Sequence, residues 1–399
     1  MNRSFDYFEV KYLFIFLTIY FIFIPFAFKI NFFGFITILI VIIGSASFFL
    51  GYKTNKFFLL AEKKSKQNLI LIGIGTLFLL NDLINGMNNI LSVRDIESYS
   101  SLYDQKDTLS LYMQIVYLSI YFIKYYIYAL IMNKNKVLFY LIFLSQIMIF
   151  FNSPTRLVAL SPFIIFIIYG YYMRYIKINL LKIIIIFLSL PFIFVVLLLS
   201  RGKSEGVNYI EIIENTINNL TLDSFLSILK VALESFKSFE DLTNIITENF
   251  VHLESGVIRI IFMPISRTIW DDKPEPLARI IAQEFSPNAY ANNGGMVATI
   301  FGDTFINGHI LGVIILLFIL GGISKIIYNT LHKNIHISKD QIAILIMFYS
   351  NFIFHFIYYM RGFLSDLLWK TLLLVIIYFI LYKLQYQISY RKKRNFNES

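Results

Sequence analysis

An all-α polytopic membrane protein is what this sequence predicts: about ten transmembrane helices, one large extracytoplasmic loop and cytoplasmic N- and C-termini. Three observations lead there. The 399 residues are 57% hydrophobic and only 15% charged, whereas soluble domains carry roughly 25% charged residues. The apolar residues are gathered into runs too long and too many for the helices of a soluble core. The basic residues collect in alternate segments between those runs, as the positive-inside rule requires.

A span needs roughly 20 apolar residues, with a range of about 17–25. Runs at 12–28 and 31–51 open the chain. The first has no small-residue cleavage site and is followed by many others, so it is read as a span and not as a cleavable signal. Runs at 68–87 and 108–132 come next, with Asp82 near the outer end of one and Lys124 in the middle of the other. The run at 137–151 is short, which fits a re-entrant or offset helix. Runs at 157–173 and 181–200 complete the first block. The stretch 201–308 is polar and in places amphipathic, long enough for several short helices. Spans at 309–329, 341–359 and 367–384 follow, and His355 lies within the second of these. Asp366 and Lys370 stand near the start of the last. The whole of 1–399 reads as a single integral membrane domain, with 201–308 as its long loop.

Placing the N-terminus inside and alternating puts 20 Lys and Arg in the inner segments and five in the short outer ones. The 201–308 loop then lies outside, and the basic tail from Arg391 to Arg394 returns inside. The net charge of +10 is therefore a matter of membrane orientation, not of nucleic-acid binding. The two sides differ in residue type. Four of the 20 inner cations are Arg, but seven of the 13 outer ones are, counting the loop. Lys supplies charge alone, whereas the planar guanidinium holds phosphate or carboxylate through two bonds.

Four outer arginines stand at or near span ends: Arg156 in Asn152-Ser-Pro-Thr-Arg156, Arg201 before Gly202, Arg267 in Pro264-Ile-Ser-Arg267, and Arg361 before Gly362. Gathered around one cavity they would bind a polyanion at headgroup level, such as a lipid-linked diphosphate. Separately, each would snorkel to lipid phosphates or pair with a loop carboxylate. The segment Pro264 to Pro274 sets Arg267, Trp270 and Lys273 at intervals of three. That suits two cations on phosphate oxygens and an indole stacked on a sugar face, or a turn in which Asp271 or Asp272 neutralises Lys273. Asp303 lies in the Gly-rich stretch Gly294 to Gly308, about one turn before a span. There it fits either a base for a sugar hydroxyl or a charge complementing a helix N-terminus. Lys124 and Asp82 form a candidate intramembrane pair, and a lone His355 reads as a packing residue.

Some chemistries are excluded. There is no cysteine, hence no disulfide, thiol nucleophile or Cys-ligated metal. No His/carboxylate spacing suits a metal, and there is no phosphate-binding Gly loop or dinucleotide fingerprint. Neither a metal nor a cofactor is expected.

These local patterns resemble the O-antigen and capsule oligosaccharide repeat-unit polymerases, the Wzy-type family. The likeness rests on Pro264-x-x-Arg267-x-x-Trp270-x-x-Lys273-Pro274, on Ile300-Phe-Gly-Asp-Thr-Phe-Ile-Asn-Gly308 followed by Gly312, and on Arg361-Gly362. It implies a multi-pass glycosyltransferase of the bacterial cytoplasmic (inner) membrane. Such an enzyme joins polyprenyl-diphosphate-linked oligosaccharides, as donor and acceptor, on the outer face, with no nucleotide sugar and no required metal. A chain-length regulator is an implied partner. The residue chemistry agrees with this: Arg156, Arg201, Arg267 and Arg361 are the expected diphosphate ligands with Lys273 auxiliary, Trp270 stacks on sugar, and Asp303 is the candidate base. The alternatives are an O-antigen ligase, a flippase or transporter of lipid-linked oligosaccharide, and a structural or regulatory partner in envelope assembly whose outer arginines bind lipid headgroups. A transporter would be expected to show repeats and helices broken near the midplane, and neither is evident in the sequence.

Overall fold

The computed structural model describes residues 6–28, 32–58, 69–91, 111–150, 160–177, 235–253, 256, 270, 274–291, 295–334 and 337–396. Every regular element among them is a helix. Six of these helices are long and apolar enough to cross a membrane: Val10–Ala27, Phe33–Gly51, Ile70–Met87, Ile115–Met132, His309–Lys333 and Lys339–Arg361. This is the pattern of a membrane-embedded, multi-pass protein. The six match the expected runs to within a few residues, except that the fourth begins later. Two further expected spans are shorter helices, Lys136–Ile149 and Ser161–Tyr172. The second starts where Pro162 occupies a first-turn position, the one place in a helix where a missing N–H costs nothing. The expected span at 181–200 lies outside the described residues.

By its contacts the chain divides into two compact units. The first comprises Met1–Glu62, Ser235–Ile337 and Asn351–Ile376. It opens with α1 (Val10–Thr18), a π-helical turn (Ile19–Phe23) and α2 (Ile24–Phe28), which run on without a break. The wider turn has a local cause. Pro25 has no N–H to give, and the ladder relaxes just before it, so that Ile24 N–H reaches back five residues to the Ile19 carbonyl.

α3 (Phe32–Gly51) packs along α12 (His309–Lys333). The two run in the same direction, since Gly44 sits beside Val313 and Leu317, while Gly51 sits beside Phe318 and Gly322. Their backbones nearly touch. A Cβ on Gly51 would fall 1.9 Å from the Phe318 carbonyl oxygen, and one on Gly321 would fall 2.1 Å from that of Phe48. Between apolar helices in lipid, association comes from such close packing and not from hydrophobic burial, which is why small residues occupy the seam. Phe14 stacks on Phe48 at 4.0 Å beside it.

The described short helices of the 201–308 stretch are α8 (Ser235–Thr247), α9 (Leu277–Phe285), α10 (Pro287–Ala291) and α11 (Thr299–Ile306). α8 is amphipathic and lays Leu242 and Ile245 on Gly302 of α11, with Thr37 of α3 bonded to Thr243 at 3.3 Å. α11 folds back along the first turns of α12, closely enough that a Cβ on Gly312 would stand 2.4 Å from the Thr304 carbonyl oxygen. All eight residues of α11 are buried.

At the opposite end of α12 from this hairpin, the N-terminal carboxylates are clasped. Glu9 meets Lys325 at 3.0 Å and Lys11 at 2.9 Å and accepts from the Tyr52 hydroxyl. Asp6 accepts from Tyr328 and lies 3.2 Å from His332. Burial, then the charge of Glu9, raises the Tyr52 pKa well above the ordinary phenol value, so it stays a donor.

The second unit comprises Lys63–Glu234, Ser338–Ser350 and Ile377–Ser399. Its described helices are α4 (Leu69–Leu91), α5 (Leu111–Met132), α6 (Lys136–Phe150) and α7 (Ser161–Tyr172). The first part of α13 (Lys339–Arg361) and the last part of α14 (Leu364–Phe396) belong to it too, and the rest of each belongs to the first unit. α4 and α5 are antiparallel, with Gly75 against Ile127 and Ile131 and Asp82 bonded to Lys124 and Tyr128.

Candidate functional site

The junction of α11, α13 and α14 in the first unit carries two of the expected site residues. α13 ends at Arg361, where the Gly362 N–H is shared between the Tyr358 and Tyr359 carbonyls, at 2.9 and 3.0 Å. α14 starts three residues later at Leu364. Its first N–H would be orphaned, but it donates to Asp303 Oδ2 at 2.8 Å. The Tyr359 hydroxyl reaches the same oxygen at 3.4 Å. Asn307, one turn on, donates to Asp303 Oδ1 at 3.2 Å and to the Asp303 carbonyl at 2.7 Å. Asp303 is only 1% exposed.

Of the two roles left open for Asp303, the geometry displays the structural one directly: it is a cap, supplied from another helix, to the N-terminus of α14. The carboxylate complements the positive end of that helix and ties the start of α12, the end of α13 and the start of α14 together. Arg361, half-buried in the last turn of α13, stands three residues before the N–H that Asp303 holds. Trp270, also half-buried, belongs to the same unit.

Arg156, Arg201, Arg267 and Lys273 lie outside the described residues, so of the expected constellation only Trp270, Asp303 and Arg361 are placed. Arg279 has local partners: Glu275 lies 3.8 Å from its Nε, and the Tyr290 ring lies 4.6 Å from its guanidinium.

Sequence reasoning missed Tyr359 and Asn307. Both are one helical turn from residues it had noted, His355 and Asp303. Asn351, His355 and Tyr359 recur every fourth residue on α13 and all are buried, a polar stripe whose period was open to inspection. Polar groups set inside an apolar bundle need partners or a function.

The expected intramembrane pair is present in the second unit. Lys124 Nζ lies 3.0 and 3.2 Å from the two Asp82 oxygens, and Tyr128 and Gln146 also donate to Oδ2. Asp82 is 4% exposed. Four polar side chains on three helices close into one network, as buried charge requires. Among the described residues no group of His, Asp or Glu is arranged to hold a metal ion.

No family model matches this chain, and no curated protein or solved structure is significantly similar to it.

Proposed function

We propose that the protein is a glycosyltransferase of a bacterial cytoplasmic membrane that polymerises polyprenyl-diphosphate-linked oligosaccharide repeat units on its outer face. In this reading the chain has about ten spans, and the 201–308 stretch stands outside as a rim over the site. The observation that carries it is the convergence of Arg361 and Asp303 at one helix junction, at the end that the charge count assigns to the exterior.

The chemistry follows from the compartment. No nucleotide sugar is available outside the cytoplasm, so the donor arrives activated by its lipid diphosphate. The bond from the anomeric carbon to the diphosphate oxygen breaks, and an acceptor hydroxyl on a second lipid-linked unit forms the new glycosidic bond. Charge grows on the departing diphosphate, and guanidinium groups at headgroup height stabilise it. Arg361 supplies one, with Arg156, Arg201 and Arg267 as the others, Lys273 beside them and Trp270 on the sugar. The acceptor proton goes to a carboxylate, for which Asp303 is the candidate in addition to its capping role.

The decisive experiment is deletion of the gene in a strain with a defined surface glycan, followed by separation of that glycan by size. Loss of polymerisation leaves a single repeat unit. Full-length polymer retained on the polyprenyl carrier would replace this reading with a ligase, and absence of any exported unit would replace it with a flippase.

A further inference from the structure

The other end of the first unit holds a site of a different kind. After α3 ends at Gly51, the chain runs without helix from Thr54 to Phe58 along the last turns of α12. Two α12 side chains and Asn334, the residue that follows the helix, fasten it there. Asn329 Nδ2 donates to the carbonyls of Thr54 and Lys56, both at 3.3 Å. Phe58 N–H donates to Thr330 Oγ1 at 3.1 Å, and Asn334 Nδ2 donates to the Phe58 carbonyl at 2.7 Å. Ile326, Asn329, Thr330, Lys333 and Asn334 follow the spacing of a single helical face, so this flank of α12 serves as a bed for the extended segment.

The bed presents cations and rings together. Lys56 and Lys333 are exposed. Lys333 lies 5.0 Å over the Phe57 ring, and Phe58 is 67% exposed. Between Lys56, Phe57, Phe58 and Ile326 is a cavity of about 340 Å³. Among the described residues, the carboxylates Asp6 and Glu9 near this end of α12 are already taken by Lys325, Lys11 and His332. The site also lies at the C-terminal end of the candidate span His309–Lys333, where a membrane-crossing helix reaches headgroup depth.

We infer that this groove is a binding site for an anionic phospholipid of the leaflet at this end of α12. Lys56 and Lys333 take the phosphate, and Phe57, Phe58 and Ile326 take the upper acyl chain. Charge complementarity commits the occupant: a zwitterionic lipid would bring a choline cation against two lysines, and a soluble anion would leave the rings and the cavity unfilled. The inference does not depend on the catalytic reading above.

The test is native mass spectrometry of the purified, delipidated full-length protein, offered phosphatidylglycerol or phosphatidylcholine in mixed micelles. Phosphatidylglycerol is expected to be retained preferentially, with affinity falling about five-fold for each lysine neutralised in Lys56→Gln and Lys333→Gln. Asn334→Ala, which unfastens the segment, weakens retention as well. Lys56→Arg with Lys333→Arg preserves it. Lys383→Gln removes an exposed lysine of the other unit that lies 4.6 Å over Phe379, and it changes nothing. Equal retention of the two lipids, undiminished retention in the doubly neutralised chain, or loss in the arginine chain overturns the assignment. So does displacement by glycerol phosphate as effective as that by whole lipid, which would mark a soluble-phosphate site instead.

Discussion

Replacing Asp303 with alanine strikes the junction where three helices meet, and its cost can be worked from the geometry. Three donors lose their acceptor: the Leu364 N–H at 2.8 Å, the Tyr359 hydroxyl at 3.4 Å and Asn307 Nδ2 at 3.2 Å. Asn307 keeps the Asp303 carbonyl at 2.7 Å, so two are left bare. A buried unpaired donor costs about 1–3 kcal/mol. The Leu364 N–H has no second acceptor among the described residues and falls in that range, while the long Tyr359 contact adds about 1 kcal/mol at most. Removing a carboxylate from a helix N-terminus takes a further ~0.3–1 kcal/mol. The expected loss is about 1–5 kcal/mol. Asp303→Asn keeps an oxygen for Leu364 and should lose less than about 2 kcal/mol. Unfolding of the three proteins in mixed detergent micelles, followed by circular dichroism, measures both. An alanine variant within about 0.5 kcal/mol of the parent, the range of an inconsequential surface change, would show that the carboxylate does not hold the junction. The asparagine variant also separates the two roles of Asp303. Folded but unable to extend the glycan, it identifies the base; folded and active, it removes Asp303 from the chemistry.

Three further outcomes are expected. Arg361→Lys keeps the charge but loses the planar fork, so glycan extension should drop at least ten-fold with expression unchanged, and wild-type ladders from that strain would contradict the bidentate argument. Breaking the pair with Lys124→Met leaves Asp82 buried and uncompensated, which costs about 3–5 kcal/mol, whereas Asp82→Leu with Lys124→Met should recover much of it. A denaturation cycle in which the double variant is the worst of the set would refute that. Gly321→Ala drives a methyl to 2.1 Å from the Phe48 carbonyl oxygen, and forcing α3 from α12 should cost about 1–3 kcal/mol. An unchanged melting temperature would mean that the helices do not depend on this contact.

Much of the fold was legible because a lipid-spanning helix must be continuously apolar, and that demand is written locally. Five of the six candidate spans could be bounded to within a few residues, and the pairing of Asp82 with Lys124 could be anticipated because a buried charge must find its opposite. The short run at 137–151 was legible as short and is the helix Lys136–Phe150, whereas the run expected at 157–173 is a helix of 12 residues, Ser161–Tyr172. The site was legible in part. The residue types at Arg361, Trp270 and Asp303 stood out, yet nothing local says what Asp303 holds.

Composition and periodicity by themselves thus determined that the chain is helical and membrane-embedded, because each residue's preference for lipid acts alone. Tertiary structure alone decided which groups meet. The partner of Asp303 is the N–H of Leu364, 61 residues away, and a backbone N–H carries no signature in a sequence. The register of α3 on α12 and the fastening of Thr54–Phe58 by Asn329, Thr330 and Asn334 are of the same kind. Each is a contact between surfaces that exist only once both helices are in place.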